Sequence, residues 1–375
     1  MSYDIKGWCP GAHRPMMSGD GYVVRVRPRL GEFSLAQALG LCAAAETHGA
    51  GLLDITNRAN VQIRGVSEAA WPALMAALEV LGLLDADADT ETRRNIVVNP
   101  TWAAQDDTHR LTLELLDRLA ELPVLPPKMG FAIDAGAGPV LGDTSADFRI
   151  ERGSDRRLIL RADGRTLGIP LTPGTEIDML IRLCHWFVDS GGTQAGRMAR
   201  HSAALPDWAE GTLAPAPRRE QLRPGPHALG AVQGCAFGQI RAADLARALT
   251  DSKATALRLT PWRALLLLNA TPGPQAGLSW SPDAPELRVD ACPGAPFCPQ
   301  ASVETRALAL ALAPHVTNRL HVSGCAKGCA CPGPADLVLT GENGRYSLAT
   351  HARAGDTPVL KDLSAAQVLA HFGAV

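Results

Sequence analysis

Five of the nine cysteines fall between residues 292 and 331, as Cys292-Pro-Gly-Ala-Pro-Phe-Cys298 and Cys325-Ala-Lys-Gly-Cys329-Ala-Cys331. Two short cysteine pairs on separate loops are how a chain surrounds a metal centre from two sides. An iron–sulfur cluster takes four thiolates converging on a cube, and the pair spacing encodes the geometry. The intervening Pro, Gly, Ala and Lys make tight turns and expose backbone N–H groups. A cluster uses those donors, because hydrogen bonds to its sulfurs and a nearby cation raise its reduction potential. Structural zinc fits the x₃ pair but not the x₅ pair, so iron–sulfur is favoured over zinc. Disulfides need an oxidising compartment, and the first residues carry no apolar signal-peptide core, so a cytoplasmic location is expected. The isolated Cys9, Cys42, Cys184 and Cys235 read as buried small hydrophobes or incidental thiols, and Cys331 as an unliganded turn residue.

The elements that must hold these loops show a repeat. Gly21 to Val26 reads as a strand, Ser34 to His48 as a helix capped by Ser34, then Gly51 to Thr56 and Val61 to Gly65 as strands. The order recurs in Ala231 to Arg241, a helix from Ala242 to about Thr250, Ala256 to Thr260 and Leu265 to Asn269. The turn Thr56-Asn-Arg58 of the first copy matches Thr260-Pro-Trp-Arg263 of the second. Each copy is an α+β half-domain that cannot bury its sheet alone, so the pair is expected to pack about a pseudo-two-fold axis. Between them, Thr108 to Leu122 and Glu176 to Ser190 read as helices, Phe131 to Asp134 as a strand, and Leu158 to Leu167 as a hairpin turning at Asp163-Gly164. A Pro-rich passage from Pro206 to Pro226 reads as a linker. The first cysteine loop is followed by a helix from Ser302 to Leu312. The second leaves the strand Arg319 to Val322, ahead of a hairpin (Asp336 to Leu348) and a helix (Ser364 to Phe372).

At 375 residues the chain has room for two or three packed units. A net charge of −2 argues against nucleic acid as a partner. No run approaches the ~20 apolar residues of a membrane helix. Arginine greatly outnumbers lysine, and its planar fork pairs best with carboxylates and phosphates. No G-x-G-x-x-G follows a strand, so a built-in nicotinamide or flavin domain is not expected.

Together, the repeated half-domain, Thr56-Asn-Arg58-Ala-Asn60-Val-Gln62, and Cys-x₅-Cys…Cys-x₃-Cys resemble the sulfite/nitrite reductase superfamily across essentially the whole chain. Within it, Gly7-Trp8-Cys9-Pro10 before Ser18-Gly-Asp-Gly21, Leu259-Thr-Pro-Trp-Arg263, and Ser323-Gly-Cys-Ala-Lys-Gly-Cys-Ala330 look most like the precorrin-3B synthases of aerobic cobalamin biosynthesis. True reductases usually read Gly-Cys-Pro-Asn-Gly-Cys where this chain has Ala326 and Lys327.

The resemblance implies an α+β fold with two ferredoxin-like half-domains (12–84 and 227–276), each followed by an α+β unit (90–204 and 284–375), with 205–226 as the linker. It implies a [4Fe-4S] cluster on Cys292, Cys298, Cys325 and Cys329, and tetrapyrrole carboxylates held by Arg25, Arg58, Arg94 and Lys128. A second family lysine falls at Gly130, so one cation is missing, and sirohaem is the less expected occupant. Arg64 and Gln62 are weaker candidates for the same pocket. The implied activity is an NADH- and O₂-dependent monooxygenation of precorrin-3A at C-20 with ring A lactone closure. Electrons would come from an external NADH-linked reductase or ferredoxin. A mononuclear non-haem iron is implied as well. Such iron wants two histidines and a carboxylate, and His13, His48, His227, His315, His321 and Asp20 show no ligand spacing. The rivals are a sirohaem-dependent sulfite or nitrite reductase and a non-catalytic iron–sulfur or zinc protein.

Overall fold

The computed structural model describes residues 8–374. In the first half-domain a hairpin (Met16–Ser18 and Gly21–Val26) turns at Gly21, whose φ of 120° a side chain would resist. The helix Leu35–His48 starts where expected. Ser34 accepts from the Gln37 N–H while the Gln37 side chain accepts from the Ser34 N–H, which satisfies two otherwise orphaned donors. Strands Leu52–Ile55 and Val61–Val66 complete the unit. The second half-domain repeats it with Gly225–His227, Gly230–Gly234, the helix Ala242–Asp251, Ala256–Leu259 and Ala264–Leu268.

One departure from the expected order binds the halves together. Ala231 to Arg241 is not one strand, because Phe237 (φ 58°) and Gly238 (φ 71°) turn the chain out of the sheet. The next three residues, Gln239–Arg241, pair with Leu52–Asp54 of the other half. Leu30 (φ 56°) and Gly31 (φ 68°) do the same in the first copy, sending Glu32–Ser34 to pair with Ala256–Arg258. Each half therefore closes one edge of its partner's sheet, which satisfies backbone groups that an exposed edge would leave open.

The two α+β units share one topology. Ile96–Val98, Phe131–Asp134 and Phe148–Arg152 run parallel, then Leu158–Ala162 and Ile169–Pro170 run antiparallel. Val289–Ala291, Leu320–Ser323 and Ala335–Glu342 are likewise parallel, with Arg345–Ala352 and Leu360–Leu363 antiparallel. The repeat thus extends beyond the half-domains to the whole chain. Helices Asp107–Asp117 and Glu176–Asp189 cover the first sheet, and Arg306–Leu312 and Ala365–His371 the second.

Three local differences have simple causes. The helix from residue 107 stops at Asp117 and tightens into the 3₁₀ turn Leu119–Glu121. The hairpin after Asp163-Gly164 forms its return arm only at Ile169–Pro170. The helix expected from Ser302 starts at Arg306, because the Ser302 N–H is bonded to the Gly324 carbonyl and the Thr305 hydroxyl to the Cys292 carbonyl. The Pro-rich passage is packed as well: Leu213 and Pro215 bridge to Gly168 and Gly153.

Candidate functional site

Both cysteine loops leave the carboxyl ends of adjacent parallel strands, Val289–Ala291 and Leu320–Ser323. Cys292 follows its strand directly, and the Gly324 N–H points at its sulfur at 3.2 Å. Gly294 (φ 68°) and Gly328 (φ 63°) turn the two loops. Burial pushes the Cys329 thiol up, the charge of Lys327 opposes this, and the charges of Cys292, Cys325 and Cys298 push it further. The other three cysteines are thus all within electrostatic reach of Cys329.

Among the described residues, no three His, Cys, Asp or Glu side chains sit where they could hold a single metal ion. A mononuclear zinc site needs its thiolates about 2.3 Å from one centre. A cubane instead offers each thiolate its own iron and tolerates a wider spread. The quartet, with a backbone N–H already on Cys292, fits a cluster. The described residues do not fit a two-histidine, one-carboxylate iron.

The first half-domain is the surface on which the first cysteine loop docks. Arg25, Gln62, Asp54 and Gln239 form one cross-strand row, so their side chains share the sheet face away from the helices. Arg25 is only 9% exposed, and its Nε has no hydrogen-bond partner. Arg58 leaves a turn in which the Thr56 hydroxyl accepts the Arg58 and Asn60 N–H groups and Ala59 takes φ 51°. Its guanidinium crosses to the α+β unit and donates to the Lys128 carbonyl (2.8 Å) and the Ser145 hydroxyl (3.4 Å). Burial pulls the Arg58 guanidinium down from its ordinary value, with Cys9 opposing and Arg197 adding to the fall. The Arg25 guanidinium is lowered for the same first reason and is likewise coupled to Cys9 and Arg58.

Arg25, Arg58 and the Lys128 loop therefore come together. Arg197, ion-paired to Asp147 at 2.8 Å and bonded to Ser145, joins them unforeseen. Cys9 joins them too, half-buried beside the two arginines. Arg94 is placed differently. Its fork is taken by both Asp85 oxygens (2.7 and 2.8 Å), and Nη1 donates to the Arg27 carbonyl. Arg64 ties Asp20, Asp54 and Ser18 to the Phe297 carbonyl, which also accepts from Gly19 N–H and Ser18. Through these bonds the first cysteine loop docks on the basic half-domain, while Arg306 of the following helix pairs with Asp54. Cys42 and Cys235 are buried in the core, and burial pushes each thiol up to about 12. Cys184 is buried as well, with its thiol pushed up.

The matching row of the second half-domain reads Val232, Leu266, Arg258, Glu32. Val232 and Leu266 are sealed by Leu222 and Leu229. Arg258 is spent on Glu32 (2.6 Å) and stacks on Trp102. A cavity of about 500 Å³ on this side is lined by Arg219, Phe237, Trp262 and Arg263. Two equivalent sheets have thus diverged, one toward a polar face with cations and one toward leucine packing.

The fold is that of a nitrite/sulfite reductase-like protein. Residues 14–81 match the nitrite/sulfite reductase ferredoxin-like half domain. The structure of Mycobacterium tuberculosis NirA superposes with a TM-score of 0.59 at 18% identity, covering 91% of this chain and 77% of that one. A chloroplastic ferredoxin–nitrite reductase of Zea mays is 23% identical over 89% of this chain and 72% of its own length. A precorrin-3B synthase of a Sinorhizobium species is 31% identical over 94% of this chain and 84% of its own. The chain belongs to the precorrin-3B synthase family, and so to a family of enzymes.

Proposed function

We propose that this chain is an O₂-dependent monooxygenase that hydroxylates precorrin-3A at C-20 and closes the ring A lactone in aerobic cobalamin biosynthesis. The observation that carries the reading is the divergence of the two half-domain faces. The row docked to the first cysteine loop is polar throughout and carries Arg25 with an unpartnered Nε, whereas Arg258 of the other row is spent on Glu32. Precorrin-3A is a tetrapyrrole fringed with carboxylates, and arginine forks are the best partners for them.

Arg25 and Arg58 grip substrate carboxylates, and Lys128 adds a third cation at the rim. Arg25 is already desolvated and has an unpartnered Nε, so an arriving anion satisfies a buried donor rather than displacing another acceptor. Arg197 and Ser145 hold Arg58 from behind. The cysteine loops close the other side and keep the macrocycle against the site where electrons arrive. Cys292, Cys298, Cys325 and Cys329 would hold a [4Fe-4S] cluster, which when bound would supply single electrons. The balance is one oxygen atom into the substrate and one into water, with two electrons drawn from NADH through an external reductase or ferredoxin and two protons from solvent. Among the described residues no helix is long and apolar enough to cross a membrane, and we place the reaction in the reducing cytoplasm.

The test is incubation of anaerobically reconstituted protein with precorrin-3A, NADH, a ferredoxin reductase system and ¹⁸O₂. A product carrying one ¹⁸O, formed only with the redox partner, supports the reading; efficient turnover with NADH alone removes the external donor. Sharp tetrapyrrole bands that survive purification, together with sulfite or nitrite reduction, would establish the sirohaem reductase instead.

A further inference from the structure

We infer that His321 is a hydrogen-bond donor to the centre held by the second cysteine loop, a positioning residue that sets that centre's reduction potential. The inference rests on the reading of the four cysteines as cluster ligands.

His321 lies in the strand Leu320–Ser323, opposite Asp290 on one neighbouring strand and Val338 on the other, so these three side chains share a face. Leu320 and Val322 point the other way into the apolar core. The imidazole is 0% exposed, yet neither Nδ1 nor Nε2 has a hydrogen-bond partner. Leucine at this place would fill similar volume without stranding two polar atoms, so an orphaned imidazole calls for a partner.

The ring lies beside the second cysteine loop. Cε1, the carbon between the two nitrogens, faces Gly328, where a Cβ would stand 3.6 Å away. Gly328 is the turn residue between Cys325 and Cys329. The obvious protein partners are already occupied. Asp290 is held by Arg263 at 2.6 Å and Arg319 at 2.8 Å, and the Cys331 thiol turns to the Gly333 carbonyl. Arg263 also donates to the Ala330 carbonyl, which pins the loop over the ring. Burial, with Arg319 and Arg263 adding and Asp290 opposing, pulls the imidazole down to about 4. In either protonation state an imidazole carries an N–H to give. An N–H directed at a thiolate or sulfide draws off electron density and raises the potential.

The test compares wild type with His321→Leu, His321→Met and His321→Gln in the full-length reconstituted protein. Readouts are iron and sulfide content, redox titration followed by electron paramagnetic resonance, and thermal melting of the cluster-free chain. The apolar variants are expected to keep the cluster, shift its midpoint potential negative and alter its resonance. Gln, which retains an N–H, is expected to lie nearer wild type. Cluster-free His321→Leu is expected to melt no lower than the parent. A midpoint potential identical to wild type in a loaded apolar variant overturns the inference alone. Wild type that takes up no iron and sulfide removes the cluster reading, and this inference with it.

Discussion

Arg94 and Asp85 form a two-pronged ion pair at 2.7 and 2.8 Å, with both side chains less than a tenth exposed. The pair closes the joint between the first half-domain and its α+β unit, since Arg94 also donates to the Arg27 carbonyl. A guanidinium used in this way has little left for a ligand. Asp85→Asn and Arg94→Ala each leave a buried charge without its partner, and each is expected to lower unfolding stability by about 3–5 kcal/mol. Urea denaturation measures that loss. Tetrapyrrole affinity of the folded fraction is expected to stay within about twofold of wild type; a tenfold loss would return Arg94 to the binding site.

Arg58 should behave in the opposite manner. Its partners are a carbonyl and a hydroxyl, not a carboxylate, so its charge remains available. Arg58→Ala is expected to weaken binding of a polycarboxylate tetrapyrrole by about ten- to a hundredfold, the worth of one charge-assisted hydrogen bond. The cluster spectrum should be unchanged, because turn and cluster loops lie on different units. Optical titration measures both at once, and loss of the cluster absorbance would show that the arginine has been misassigned.

That each cysteine pair sits on a loop next to a strand was legible because loop and strand are neighbours in the sequence. The half-domain repeat was legible for a similar reason, as strand and helix periodicities survive when identity does not. The strand exchange was not. Three residues carry too little pattern to declare a strand, and Gln239–Arg241 finds its partner in Leu52–Asp54, far away in sequence. The pairing of Arg94 was not legible either, because Asp85 lies in a preceding loop that has no periodic signal. Gly130 is the reverse case. A Cβ there would lie 2.7 Å from Asn95 Nδ2 and 2.8 Å from its carbonyl. The lysine missing at this place is thus excluded by packing as well as by sequence.

The sulfur site should be loaded more readily as pH rises. The Cys329 thiol is held above its ordinary value by burial and by its three companions, whereas iron binds only thiolate and so releases protons. Cluster retention against a fixed chelator is therefore expected to fall as pH is lowered. Cys298→Ser should abolish the four-iron spectrum at every pH, whereas Cys331→Ala, which removes a thiol bonded to the Gly333 carbonyl, should retain it. Loss of iron on altering Cys331 would make it a ligand.

The buried imidazole also predicts an acid limit to stability. The pKa of His321 falls from 6.5 to about 4 on folding, first because of burial. A group depressed in this way contributes its full stabilisation above the unfolded value, and that contribution is lost as pH falls through the folded one. Across this window, the unfolded chain takes up a proton that the folded chain refuses. At about 1.4 kcal/mol per pH unit the loss approaches roughly 3 kcal/mol. Cluster-free wild type should therefore lose stability in urea between pH 6.5 and about 4. His321→Leu, with nothing to titrate there, should show a slope shallower by about one proton over the same range. Parallel curves for the two proteins would mean that the ring is protonated, and therefore hydrated, in the folded chain.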